Sequence, residues 1–120
     1  MNKKIGKLSE KVIALLGLNC NESPIIIGDA NIQHMKNKHY EDYIKYGKYI
    51  SDIIANPTYV AKNPKQGSVE YIKEYKINNE FVLIAVRLSN KGTWFAKTMF
   101  VMTERKKNIY LKNGYAKKYM

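Results

Sequence analysis

The chain carries one cysteine, Cys20, which excludes an internal disulfide and a cysteine-only metal site. No run approaches the roughly 18 consecutive apolar residues of a membrane-crossing helix, so a helical span is excluded. The apolar piece Val12-Ile13-Ala14-Leu15-Leu16 follows a basic start, Met1-Asn2-Lys3-Lys4. It is too short, and too interrupted by Lys and Glu before it, to read as a signal peptide. There is no Gly-rich phosphate loop, no paired-carboxylate signature and no serine in a glycine-flanked nucleophile pattern. Internal repeats, linkers and low-complexity segments are also missing.

Acidic residues are scarce. Ten Asp+Glu stand against 21 Lys+Arg, giving a formal net charge of +11 and a sequence pI of about 9.7. This excess favours a polyanionic partner, nucleic acid first and an acidic membrane surface second. Lys, Asn, Ile and Tyr are all abundant, as in AT-rich coding. That drift accounts for lysine over arginine but not for the shortage of acids. Arginine is scarcer still, with only Arg87 and Arg105. Lysine suits phosphate as a point charge, whereas bidentate base recognition usually takes arginine, so a sequence-specific duplex reader is disfavoured.

What remains is enough to fold. A length of 120 residues at 45% hydrophobic predicts one domain over 1–120 with its own core. Residues 5–18 repeat Ile5, Leu8, Val12, Leu15 and Leu16 at helical spacing, predicting an N-terminal helix within 1–23. Pro24–Gly28 reads as a short buried strand, Asp29 as the N-cap of a helix running to about His39, and Tyr43–Ile54 as a second helical stretch closed by Asn56-Pro57. Together these make up 24–57. From Thr58 the period changes to two. Thr58–Ala61, Val69–Ile77, Phe81–Leu88 and Thr93–Met102 are expected as strands of an antiparallel meander, ahead of a basic tail that forms a last strand or a helix (58–120). Helices first and a meander second is an α+β pattern, with the helices packed on one face of the sheet.

Candidate chemistry gathers in a few places. Both histidines lie in His34-Met35-Lys36-Asn37-Lys38-His39. Their five-residue spacing turns the rings apart on a helix and argues against a metal pair. Tyr71, Lys73 and Tyr75 share one strand face, the interleaving of rings and charge that single-stranded nucleic acid needs. Lys97 and Thr98 interrupt an apolar strand and should point to opposite faces unless a bulge intervenes. Lys73, Arg87 and Lys97, on successive strands, are expected to converge on one face.

The succession His34…Lys38-His39, Ile53–Val60, Val69–Lys73, Ala85-Val86-Arg87-Leu88 and Ala96–Phe100 resembles the phage-borne branch of the BECR nucleases. That superfamily groups barnase, EndoU, colicin D and RelE-type toxins, and the resemblance covers roughly residues 24–102. It implies N-terminal helices on a four- to five-stranded antiparallel sheet, and metal-independent RNA cleavage without a cofactor. Carried onto this chain, it points to His39 or His34, Lys73, Arg87, Lys97 and Thr98 around one phosphate. Lys38, Tyr59, Tyr71 and Tyr75 are expected to contact substrate. The implied partners are RNA, tRNA included, and an immunity or antitoxin protein. The implied location is the cytoplasm of a host or target cell, with no membrane partner. The rival expectation is a non-catalytic nucleic-acid-binding module or phage interaction protein on the same basic surface.

Overall fold

The computed structural model describes residues 1–120. The N-terminal segment opens as a strand, β1 (Lys3–Leu8), and only then turns into a helix, α1 (Glu10–Leu16). Ser9 decides the boundary: its side chain accepts from the Val12 amide and caps α1, while Gly17 closes it in the left-handed conformation. The single helix expected over 5–18 is therefore a strand and a helix. Ile5 and Leu8 belong to the sheet.

The chain continues through β2 (Ser23–Ile27), α2 (Asp29–Lys38), α3 (Tyr40–Tyr46), a 3-10 turn (Gly47–Tyr49) and α4 (Ile50–Ala55). The helix after β2 begins where expected, but its cap is Gly28 rather than Asp29. The Gly28 amide donates to Asn31 Oδ1 at 2.8 Å. The second helical stretch is broken in two by the 3-10 turn. Then follow β3 (Tyr59–Lys62), β4 (Val69–Tyr75), β5 (Glu80–Leu88), β6 (Trp94–Val101), α5 (Glu104–Lys112) and β7 (Ala116–Lys118). The basic tail thus forms both a helix and a strand.

All strands join one sheet in the order β1-β2-β6-β5-β4-β3-β7. The sheet is larger than the four to five strands expected, and it is mixed. β3 to β6 form the predicted meander, but β2 lies parallel to β6 through Ile25↔Trp94 and Ile26↔Phe95. β7 adds antiparallel to β3. β1 bulges near Ile5, where the register slips between Lys4 and Gly6. A Cβ at Gly6 would stand 2.8 Å from Ile54 Cγ2, so glycine lets α4 sit directly on this strand.

Alternation along β5 divides the interior. Val82, Ile84 and Val86 join Val12 of α1, Ile50, Ile53 and Ile54 of α4, and Met35 of α2 in the main core. Leu83 and Ala85 point the other way, into a smaller core with Ala61, Ile72, Met102 and Tyr110 of α5. Helices therefore cover both faces, not one. α5 shields only part of the second face, and α2 packs against β6 at its other side. The gap between α5 and α2 exposes β4, β5 and β6 from above. No helix is long and apolar enough to cross a membrane.

Candidate active site

That gap is a cleft of about 610 Å³. β4, β5 and β6 give its floor, α2 and α5 two of its walls, and the β3–β4 loop a third. The floor follows one cross-strand row, Glu70↔Ala85↔Thr98. Ala85 in the middle keeps the floor low.

Lys97 reaches the cleft through a bulge. Ala85 pairs with Thr98, but the next residue, Val86, pairs with Ala96, so Lys97 is an extra residue in β6. A bulge places two neighbouring side chains over one partner residue. Lys97 and Thr98 accordingly both line the cleft, where regular alternation would have sent one to the core. Arg87, two residues beyond Ala85, lines it too, and its guanidinium donates to Gln66 Oε1.

His34 comes from α2. Ala30 and Asn31 lie four and three residues before it, hence on the same helix face, and all three line the cleft. Met35, the next residue and about 100° further around the helix, is fully buried and anchors α2 to the main core. From α5 comes Lys106, its Nζ 4.7 Å from the centroid of Phe100, another cleft residue.

The β3–β4 loop is shaped from within. Asn63 Oδ1 accepts from the amides of Lys65 and Gln66 at 2.9 Å each. The Asn63 amide donates to the Ser68 carbonyl, and Gly67 takes the positive φ of 71° that the turn requires. Glu70 is only 3% exposed. Its Oε1 accepts from the Tyr110 hydroxyl at 2.6 Å and its Oε2 from Asn63 Nδ2 at 3.4 Å. Burial, reinforced by this carboxylate, pushes the Tyr110 phenol well above its usual value and keeps it a proton donor. Ser68, also cleft-lining and 1% exposed, has a hydroxyl with no hydrogen-bond partner. A buried hydroxyl left unpaired costs about 1–3 kcal/mol.

Of the residues singled out in the sequence, the cleft brings together His34, Arg87, Lys97 and Thr98. It does not include His39, Lys73, Lys38, Tyr59, Tyr71 or Tyr75. The His39 ring packs on Phe100 at 5.4 Å, one ring removed from the cleft. With Lys38 it borders a separate surface depression. Lys73 pairs in register with Val82, on the main-core face, and its Nζ donates to the Asn56 carbonyl at 2.8 Å. The expected convergence of Lys73, Arg87 and Lys97 therefore fails at Lys73. Tyr71 is fully buried in the main core, and Tyr75 packs against Tyr46 at 4.8 Å and Tyr49 at 5.9 Å, so no open stacking platform forms there. Tyr59 stacks on Phe81.

Glu70, Ser68, Asn63, Asn31, Gln66 and Lys106 were missed. The loop sequence Asn63–Gly67 signalled a turn, but nothing in it signalled the cleft above. No group of three His, Cys, Asp or Glu side chains gathers anywhere in the chain. In the cleft only His34 and Glu70 are of those types.

The arrangement presents an imidazole, a buried carboxylate, three cationic side chains and several neutral donors to one space. Such a space suits a phosphodiester and the proton transfers around it. No curated protein and no solved structure matches the chain. The family described as phage-Barnase-EndoU-ColicinE5/D-RelE like nuclease 3 matches residues 3–109, which include every residue that lines the cleft, and the chain belongs to that nuclease family.

Proposed function

We propose that the protein is an endoribonuclease that cleaves RNA in this cleft without a metal ion. RNA supplies its own nucleophile. The 2′-oxygen attacks the adjacent phosphorus, its proton passes to a base, and the bond to the 5′-oxygen breaks as an acid protonates that oxygen. The products are a 2′,3′-cyclic phosphate and a 5′-hydroxyl. His34 and Glu70 are the two cleft groups suited to exchange these protons. Lys97 and Arg87 offset the charge of the phosphorane, and Thr98 and Ser68 donate hydrogen bonds to its oxygens. Of the two histidines to which the resemblance points, His39 packs on Phe100 and does not line the cleft, so His34 takes the proton-transfer role in this reading.

One observation carries this reading: four elements distant in sequence bring His34, Glu70, Arg87, Lys97 and Thr98 to a single cleft. The test is incubation with tRNA or total RNA in EDTA, followed by end-group analysis. Cyclic phosphate ends are expected. His34→Ala should lower kcat at least about 100-fold, Lys97→Ala should abolish most of the remainder, and His39→Ala should stay within a few-fold of the parent. Salt-sensitive binding without turnover would mark a non-catalytic binding module instead. An immunity or antitoxin protein acting on this site would meet Arg87, Lys97 and Lys106, so its contact surface would be acidic.

A further inference from the structure

A second groove of about 420 Å³ adjoins the cleft and shares Asn63 and Lys106 with it. Lys65 borders it on the loop side, Arg105 and Ile109 on α5, and Tyr115 on the segment leading to β7. No carboxylate lines it. Lys65 and Arg105 are exposed and take part in no salt bridge. Tyr115 is half-buried and held edge to face against the buried Tyr110, with ring centroids 5.8 Å apart at 87°. The chain has two arginines; Arg87 lines the cleft and Arg105 the groove. A guanidinium pairs with phosphate through two donors and also stacks on a base. A fixed aromatic ring beside cations and away from acids is the chemistry of a nucleotide site on a single strand. Tyr115 lies beyond the residues the family description matches, so this groove is partly built by the chain's own C-terminal segment.

We infer that the groove binds a nucleotide neighbouring the scissile linkage. The substrate is then a single-stranded segment long enough to fill both depressions. Lys65 and Arg105 pair with its phosphate, Tyr115 stacks on its base, and Lys106 stands where the strand passes between them. A duplex would not serve, because its bases are already stacked and out of reach of Tyr115. This inference rests on the proposed RNA-cleaving role of the cleft and deepens it.

The experiment measures binding apart from cleavage. Mixed-sequence 2′-O-methyl oligonucleotides of two, four and six nucleotides lack the attacking hydroxyl and are followed by fluorescence anisotropy. The parent protein should bind the longer probes at least tenfold more tightly than the dinucleotide. Lys65→Ala/Arg105→Ala should remove most of that gain and leave dinucleotide affinity unchanged. The charge-matched Lys48→Ala/Lys76→Ala variant should behave as the parent. Affinity independent of length would overturn the inference, as would equal weakening at every length or equal weakening by the control variant. Length-dependent binding without cleavage of any RNA would refute the endoribonuclease and keep the groove. Cleavage with a length gain that survives in Lys65→Ala/Arg105→Ala would do the reverse.

Discussion

Ser68 carries a cost to folding in a single side chain. Its hydroxyl is buried without a partner, beside a carboxylate already engaged by Tyr110 and Asn63. Removing the oxygen relieves an unpaid desolvation. Ser68→Ala should therefore raise stability by about 1 kcal/mol, seen as a higher Tm, while weakening affinity for RNA or its 2′-O-methyl analogue. A lower Tm would mean the hydroxyl has a partner. At this scale the sequence revealed Arg87, Lys97 and Thr98, because polar residues inside apolar strands stand out. Choosing between His34 and His39 needed the helix face, which Met35 decides by being the buried residue. Glu70 looked like one of several alternating charges on β4. Its pairing with Ala61 and Ala85, small residues on the two flanking strands, leaves it in the buried row under Tyr110.

The bulge in β6 is the element on which the cleft turns. Without Lys97, Thr98 and Ala96 would pair with Ala85 and Val86 in an unbroken ladder, and every flanking side chain would keep its present face. A deletion of Lys97 should accordingly fold, with a Tm within a few degrees of the parent, and fail to cleave RNA. Global unfolding of the deletion would show that the register is not set as described. A one-residue bulge carries no composition signal, since Phe95–Phe100 reads equally well as a regular strand. The same limit hid β1. Its Ile5 and Leu8 fit a helical period continued into α1, and only the Ser9 cap separates the two. The strands of the meander were legible because each is contiguous and alternates. The parallel pairing of β2 with β6 joins segments far apart in the chain, and no local pattern encodes it.

Across the whole molecule, positive charge outweighs negative, and acid makes the imbalance worse. Glu80 ties β5 to α3: its Oε1 accepts from Lys45 Nζ at 2.7 Å and from the Tyr46 hydroxyl at 2.5 Å. The Lys45 hydrogen bond, with that of Tyr46, holds its carboxyl below the ordinary 4.5. A depressed carboxyl stabilises the fold above its unfolded value and loses that contribution as pH falls through the folded one. Thermal unfolding followed from pH 7 to pH 3 should show Tm falling below about pH 4.5. Glu80→Gln should start lower and fall less steeply over that interval. Parallel curves would remove Glu80 from the account.

The seam between β2 and β6 also sets an order of events during synthesis. The helix carrying His34 emerges from the ribosome early, on the near side of that seam, while Arg87, Lys97 and Lys106 emerge late, on the other. Domains fold as their residues become available, N-terminal parts first. A nascent chain, or one truncated before β6, therefore holds His34 without Lys97, Thr98 or Lys106 across from it, and the cleft is complete only once β6 and α5 are made.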